Sequence, residues 1–253
     1  MIVTGHPQFE TQDDDGIGSG IPPIPEWQHD RPTDDDDLQD LTDAEIDHEV
    51  AEVFLRLRFV LRRTERVPLS TTKLHDLTCF VGHRLLLSAP ETTALTSSPA
   101  TECMRYGVVI HMFLIQGTTY FSHAVLLEAL VTRLMENILL LESVRPPRGS
   151  FDVWCLAVGL AASAGTGNYR WFWERSLALA TSQQLDGWGD ILNRMKSILW
   201  FETPQSENIF RPHWDALLGL MDPLTPVNAL VPVSHNLSGS LVSPSRYTSP
   251  SAL

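Results

Sequence analysis

From Ile46 onward the chain alternates apolar and polar positions at helical spacing. Ile46, Val50, Val53, Phe54, Leu57, Val60 and Leu61 recur at intervals of three and four behind Thr42 and Glu45, which stand at capping-box spacing. The pattern predicts a first helix that ends near Pro68. A second is predicted from the Thr71–Thr72 cap to about Ser88, where Pro90 and a Thr/Ser-rich stretch stop it. A third spans Ala100 to Gln116, and after the break at Gly117 a fourth runs from Tyr120 to Leu141, closed by Pro146 and Pro147. The run from Phe151 to Ala162 has no polar face, which predicts a helix covered on every side, with Gly159, Ala161 and Ala162 letting neighbours approach closely. Gly165 and Gly167 mark the turn out of it. Three further helices are predicted over Trp171–Gln183, Ile191–Trp200 and Pro212–Leu220. No alternating strand and no internal repeat is visible, so the expected fold is all-α, an irregular array of about seven or eight helices.

The ends of the chain lack this pattern. Residues 1–39 are rich in Gly, Pro and Asp and offer only Phe9, Trp27 and scattered Ile and Leu for burial, too little to offset ordering entropy. They read as a disordered acidic tail that can be removed without unfolding the rest. Residues 40–222 read as the helical domain, and residues 223–253, rich in Pro, Ser and Thr, as a second disordered tail. The formal net charge of −13 is local: residues 1–49 hold 15 of the 31 acids and only Arg31 of the 18 bases. The remainder is nearly neutral, and neither part offers the broad basic field that phosphate neutralisation needs. Specific DNA binding by the chain itself is not expected. Cys79, Cys103 and Cys155 are an odd number with no short pairing, which fits reduced thiols in a reducing compartment. The first thirty residues lack the pattern of a secretory signal, and the longest apolar stretches, Val108–Ile115 and Val153–Ala162, fall short of the roughly 20 residues that span a bilayer.

Few residues carry a chemical signature. Asp36, Asp37 and Asp40 match the DDxxD pattern with which helical terpene synthases hold magnesium, since clustered carboxylates supply hard oxygen ligands. The second metal motif of those enzymes is incomplete: Asn193 and Ser197 are followed by Phe201 where Glu is required, with Glu202 one place late. A solvated acidic run is the better reading, and a small magnesium-dependent helical enzyme the alternative. His75, Cys79 and His83 fall at i, i+4 and i+8, a chelating spacing without a fourth ligand, and core packing is the simpler account. Arg56, Arg58, Arg62, Arg63 and Arg66 crowd the end of the first helix, where they complement its dipole or dock an acidic segment. No phosphate loop, nucleophile elbow or HExxH sequence is present. No catalytic residue, cofactor or metal site is assigned. Trp154, Trp171, Trp173, Trp188, Trp200 and Trp214 lie within about sixty residues and form the candidate cluster, either core packing or the lining of a pocket.

Six blocks then resemble one family in sequence and in order. They are ECMRY at Glu102–Tyr106, TYFSHAVLL at Thr119–Leu127, WCLAVGLAAS at Trp154–Ser163, NYRWF at Asn168–Phe172, ILWFE at Ile198–Glu202 and RPHW at Arg211–Trp214. Together they resemble the regulatory domain of fungal-specific transcription factors, over roughly Leu41–Leu220. The resemblance implies a helical domain for activity control, dimerisation and effector response, with no catalytic residue. Members usually carry an N-terminal binuclear zinc cluster of six cysteines that reads DNA; these residues contain no such cluster, which leaves a standalone variant or, as a further alternative, a truncated non-functional fragment of such a factor. The expectation is a non-enzymatic transcription-regulatory domain, nuclear or nucleocytoplasmic, acting on protein partners: a DNA-binding transcription factor or a second copy in a homodimer. Trp27, Leu38 and Leu41 among carboxylates resemble an acidic activation segment, and equally a solubilising tail.

Overall fold

A computed structural model of the chain describes residues 22–28, 45–64, 68–87, 97–117, 124–147 and 149–219. Among these, a 3-10 turn at Pro25–Gln28 precedes eight α-helices: α1 His48–Thr64, α2 Thr71–Leu87, α3 Pro99–Gln116, α4 Ala124–Val144, α5 Ser150–Ala162, α6 Tyr169–Gln183, α7 Trp188–Ile198 and α8 Pro204–Gly219. The chain is all-α, with no strand among the described residues.

The apolar helix α5 sits at the centre, against α3, α4, α6, α7 and α8. Val153 through Leu160 are buried without interruption, as a helix lacking a polar face requires. Its start is fixed by Asp152, which accepts the Gly149 backbone N–H at 3.0 Å and pairs with Arg145 at 3.0 Å. A carboxylate there also complements the positive end of the helix dipole. On the far side of α3, α1 and α2 complete the array. Arg105 of α3 is 1 % exposed, yet its charge is satisfied: Nε donates to Glu102 at 3.2 Å and Nη1 to the Leu85 carbonyl at the end of α2. Buried apolar side chains from Ile24 to Leu217 form one contiguous cluster.

Four boundaries differ from the sequence pattern. The capping box at Thr42 and Glu45 does not start α1. Glu45 has a left-handed φ of 61°, its carbonyl accepts Ser98 and Thr101 hydroxyls, and the helix begins only at His48. Long-range bonds to the start of α3 outweigh the local cap. Helix α4 starts at Ala124 and continues to Val144, while residues 118–123 lie outside the described set. Helix α7 begins at Trp188, and Leu199 is already extended. Helix α8 starts eight residues before Pro212. Its true N-terminus is Pro204, with Thr203 Oγ1 accepting the Ser206 N–H at 3.1 Å. Pro212 is tolerated inside because Asn208, whose carbonyl loses its donor, faces solvent.

The expected tail over 1–39 contains a packed segment. Ile24 and Trp27 are 4 % and 1 % exposed, and Trp27 meets Phe80 of α2 edge-on at 5.0 Å between centroids. Arg56 of α1 lies over the indole at 5.7 Å, and Lys73 pairs with Glu26. One aromatic anchor plus an ion pair holds residues 22–28 to α1 and α2. The remainder of both expected tails, including Phe9, Asp36, Asp37 and Leu38, lies outside the described residues, as do Asp40 and Leu41.

Two substitutions test these contacts. Trp27→Ala should cost about 3 to 5 kcal/mol, as for other fully buried large aromatics. A thermal melt equal to wild type would show that the turn is not part of the fold. Gly159→Ala places a Cβ 2.0 Å from the Phe172 ring. The better helix propensity of Ala contributes about 1 kcal/mol, but overpacking should still leave a net loss of about 1 to 3 kcal/mol in urea unfolding.

Candidate functional site

The six tryptophans of the candidate cluster do not line one pocket. Trp154 and Trp214 are fully buried and Trp200 nearly so. Trp154 of α5 donates its indole N–H to the Leu199 carbonyl at 3.1 Å. From it a ladder of rings runs through the core: His111 at 6.1 Å, Phe210 at 5.5 Å from His111, Trp200 at 5.6 Å from Phe210, and Trp188 edge-on at 6.2 Å from Trp200. Trp173 stands apart with Tyr169, whose hydroxyl meets His213 Nδ1 at 3.2 Å. Trp171 is half-buried on α6, against Phe172 and beneath Arg175, whose guanidinium lies 4.1 Å from the ring centroid.

His111 is the residue of this ladder that the sequence did not mark. It is fully buried, and neither ring nitrogen has a hydrogen-bond partner among the described residues. Burial lowers its pKa to about 3, so the ring is neutral at ordinary pH. His83 and His213 are lowered by burial as well.

Arg175 leads to an open groove of about 660 Å³ between the C-terminal end of α4, α5 and α6. Its Nε donates to both Glu142 oxygens at 3.2 Å, so the charge is neutralised at the rim. Pro147, Leu156 and Leu179 supply apolar wall, and Ser182 and Gln183 the polar part. The Gln183 side-chain amide is shielded from solvent, and neither its nitrogen nor its oxygen has a partner among the described residues. A second, smaller cavity of about 10 Å³ adjoins the groove through Glu142, Pro147 and Leu156 and reaches Cys155. Burial, with a smaller contribution from the neighbouring Cys103 thiol, pushes the Cys155 pKa well above the ordinary thiol range. Cys155 is therefore protonated and a poor nucleophile.

The other sequence candidates are not assembled into a site. His75 Nε2 and Cys79 Sγ are 3.7 Å apart, but His75 Nδ1 faces the Gln116 amide at 2.9 Å. No group of three or more His, Cys, Asp or Glu side chains among the described residues is placed to hold a metal ion. Asn193 and Ser197 lie on the exposed face of α7, and Glu202 pairs with Lys196 at 2.7 Å. Of the basic cluster, Arg62 and Arg63 are exposed, while Arg56 is engaged with Trp27. No helix among the described residues is long and apolar enough to cross a membrane.

Comparison with known families, curated proteins and solved structures finds no match to this chain. The likeness to the fungal-specific regulatory domain rests on the six sequence blocks alone.

The pH dependence of folding should report on His111. Its folded pKa of about 3 lies below the ordinary 6.5, so below pH 6.5 the unfolded chain takes up a proton that the folded chain refuses. This contribution is complete above about pH 6.5 and is lost progressively toward pH 3, reaching about 4 to 5 kcal/mol. His111→Phe keeps the stacking and removes the proton site. Urea midpoints measured at pH 7 and 4.5 should fall less for this variant than for wild type. Parallel pH profiles would rule the assignment out.

Proposed function

We propose that this domain regulates transcription by binding other proteins, in the manner of the fungal-specific regulatory domains that its sequence blocks resemble. The groove between α4, α5 and α6 is the docking site. The observation that carries the reading is the shielded, unpaired amide of Gln183 beside the apolar walls of Pro147, Leu156 and Leu179. A buried donor and acceptor left without partners cost free energy, which a ligand relieves by supplying both complements. A backbone peptide group does so, one N–H and one C=O per residue. A partner's extended segment would draw the Gln183 side chain out into the groove, set its main chain on the amide, and place an apolar side chain against Leu156 and Leu179.

Binding fits these side chains better than catalysis does. Among the described residues the groove's cation, Arg175, is paired with Glu142, Cys155 is held protonated, and the Tyr169 phenol is shifted toward its neutral form. None of these groups is poised as a nucleophile or a base near neutral pH. The domain would act in the nucleus through a DNA-binding partner. Its own contact with DNA would be weak and non-specific, with a Kd of about 10⁻⁴ M or weaker at physiological salt.

Tethering tests this reading. The chain fused to an unrelated DNA-binding module should change transcription of a reporter carrying that module's site. Gln183→Ala, and Ser182→Arg from an exposed position at the groove, should abolish the change while the thermal melt stays close to wild type. A tethered chain with no effect, or groove variants as active as wild type, would sink the proposal. So would nanomolar binding of the untethered chain to particular DNA sequences in an anisotropy titration.

A further inference from the structure

The exposed large apolar side chains among the described residues all fall on one helix. Val125, Leu139, Leu140 and Val144, exposed by 73, 41, 55 and 71 %, belong to α4. At 100° per residue, Val125, Ala129, Arg133, Glu136, Leu140 and Val144 lie within an arc of about 100°, and Leu139 flanks it. The arc points away from Leu130, Leu134, Ile138 and Leu141, which face the core. Exposed apolar side chains confined to one face of one helix mark an interaction site rather than ordinary scatter.

The stripe has an internal symmetry that identifies its partner. Its apolar residues stand at the two ends and its charges in the middle, with Arg133 and Glu136 placed evenly about the point between Leu134 and Met135. Two copies of α4 laid antiparallel about that point set Val125 opposite Val144, Ala129 opposite Leu140, and Arg133 opposite Glu136, each pair occurring twice. Within one copy Arg133 and Glu136 make only an exposed contact at 3.3 Å, 65 and 49 % exposed. Such a pair is held weakly and is free to exchange partners. We infer that this face is an isologous dimer interface, occupied by α4 of a second copy in antiparallel register.

The 21-residue helix is about 32 Å long, and one helix from each copy makes a contact smaller than the 1,200 to 2,000 Å² of standard interfaces. The dimer is therefore weak and concentration-dependent. The inference does not depend on the groove or on a role in transcription.

Sedimentation of the full chain over a concentration series should show a monomer–dimer equilibrium. Leu140→Glu should abolish it. Arg133→Glu and Glu136→Arg should each weaken it by about tenfold or more, since each places like charges opposite one another twice. A mixture of these two variants should recover association, because every facing pair is again opposite in sign, and so should the double variant. Circular dichroism checks that helix content is unchanged by these surface substitutions. A chain that stays monomeric at every concentration would overturn the inference and point instead to another segment or another protein on this face. Dimers that ignore Leu140→Glu would overturn it too. If neither the mixture nor the double variant recovers association, the antiparallel register is wrong.

Discussion

Helix α5 cannot present any face to water, and the arrangement of the other helices follows from covering it. Its Trp154 sets one of the close approaches. A Cβ on Gly107 of α3 would lie 2.6 Å from the indole, so only glycine lets α3 lie this near. On the other side, the indole N–H bonded to the Leu199 carbonyl pins the extended link between α7 and α8. One side chain thus fixes three helices relative to α5. Phe172 against Gly159 does the same for α6. The carbonyl that Trp154 takes up would otherwise be buried without a donor, so packing and polar satisfaction are met by the same contact.

Polar groups inside the array are concentrated where helices end. Arg105 reaches a carbonyl in the last turn of α2, Gln205 donates to Ile115 in the last turn of α3, and Asp152 collects donors at the start of α5. Helix termini leave backbone groups unpaired, and in a crowded interior side chains from neighbouring helices must supply the partners. These bonds are directional, so they select one set of helix positions among the many that apolar packing alone would tolerate. Of the described residues, His111 and Gln183 are among the buried side chains left without a partner. The first is enclosed between aromatic rings, and the second belongs to a residue that lines an open groove.

The helices were legible because periodicity is a local signal, and α5 was legible as central because a run with no polar face has only one place to go. What failed was decided at a distance. Trp27 sits among prolines and acids and looks like part of a tail, yet Phe80 and Arg56 lie far along the chain and supply its site. Glu45 matched a cap, but hydroxyls of Ser98 and Thr101 claim its carbonyl. At α8, Pro212 outweighed a better start at Thr203 and Pro204, where a hydroxyl precedes a proline at the first helical position. The tryptophans were visible as a cluster, but not their division into buried and half-buried members. The groove had no sequence signal at all, because it is made by pairing Glu142 with Arg175 across two helices. His111 did leave a trace. It is the one titratable residue in the run from Val108 to Ile115, and burial of that run encloses it.

Helix α4 joins the two surfaces on which binding can occur. Glu142 lines the groove, whereas Leu140 and Val144 lie on the outward stripe, roughly opposite around the helix axis. A chain lying in the groove and a helix lying on the stripe therefore approach α4 from different sides, and neither excludes the other. They are still mechanically linked. The last turn of α4 carries Leu141 and Glu142 between the two faces, and Arg145 just beyond it ties the helix end to Asp152 at the start of α5. A load on either face is borne by the same turn, which is held by two ion pairs as well as by the buried side chain of Leu141. Of the two ion pairs, the partly exposed Arg175–Glu142 pair yields more readily than close-packed core.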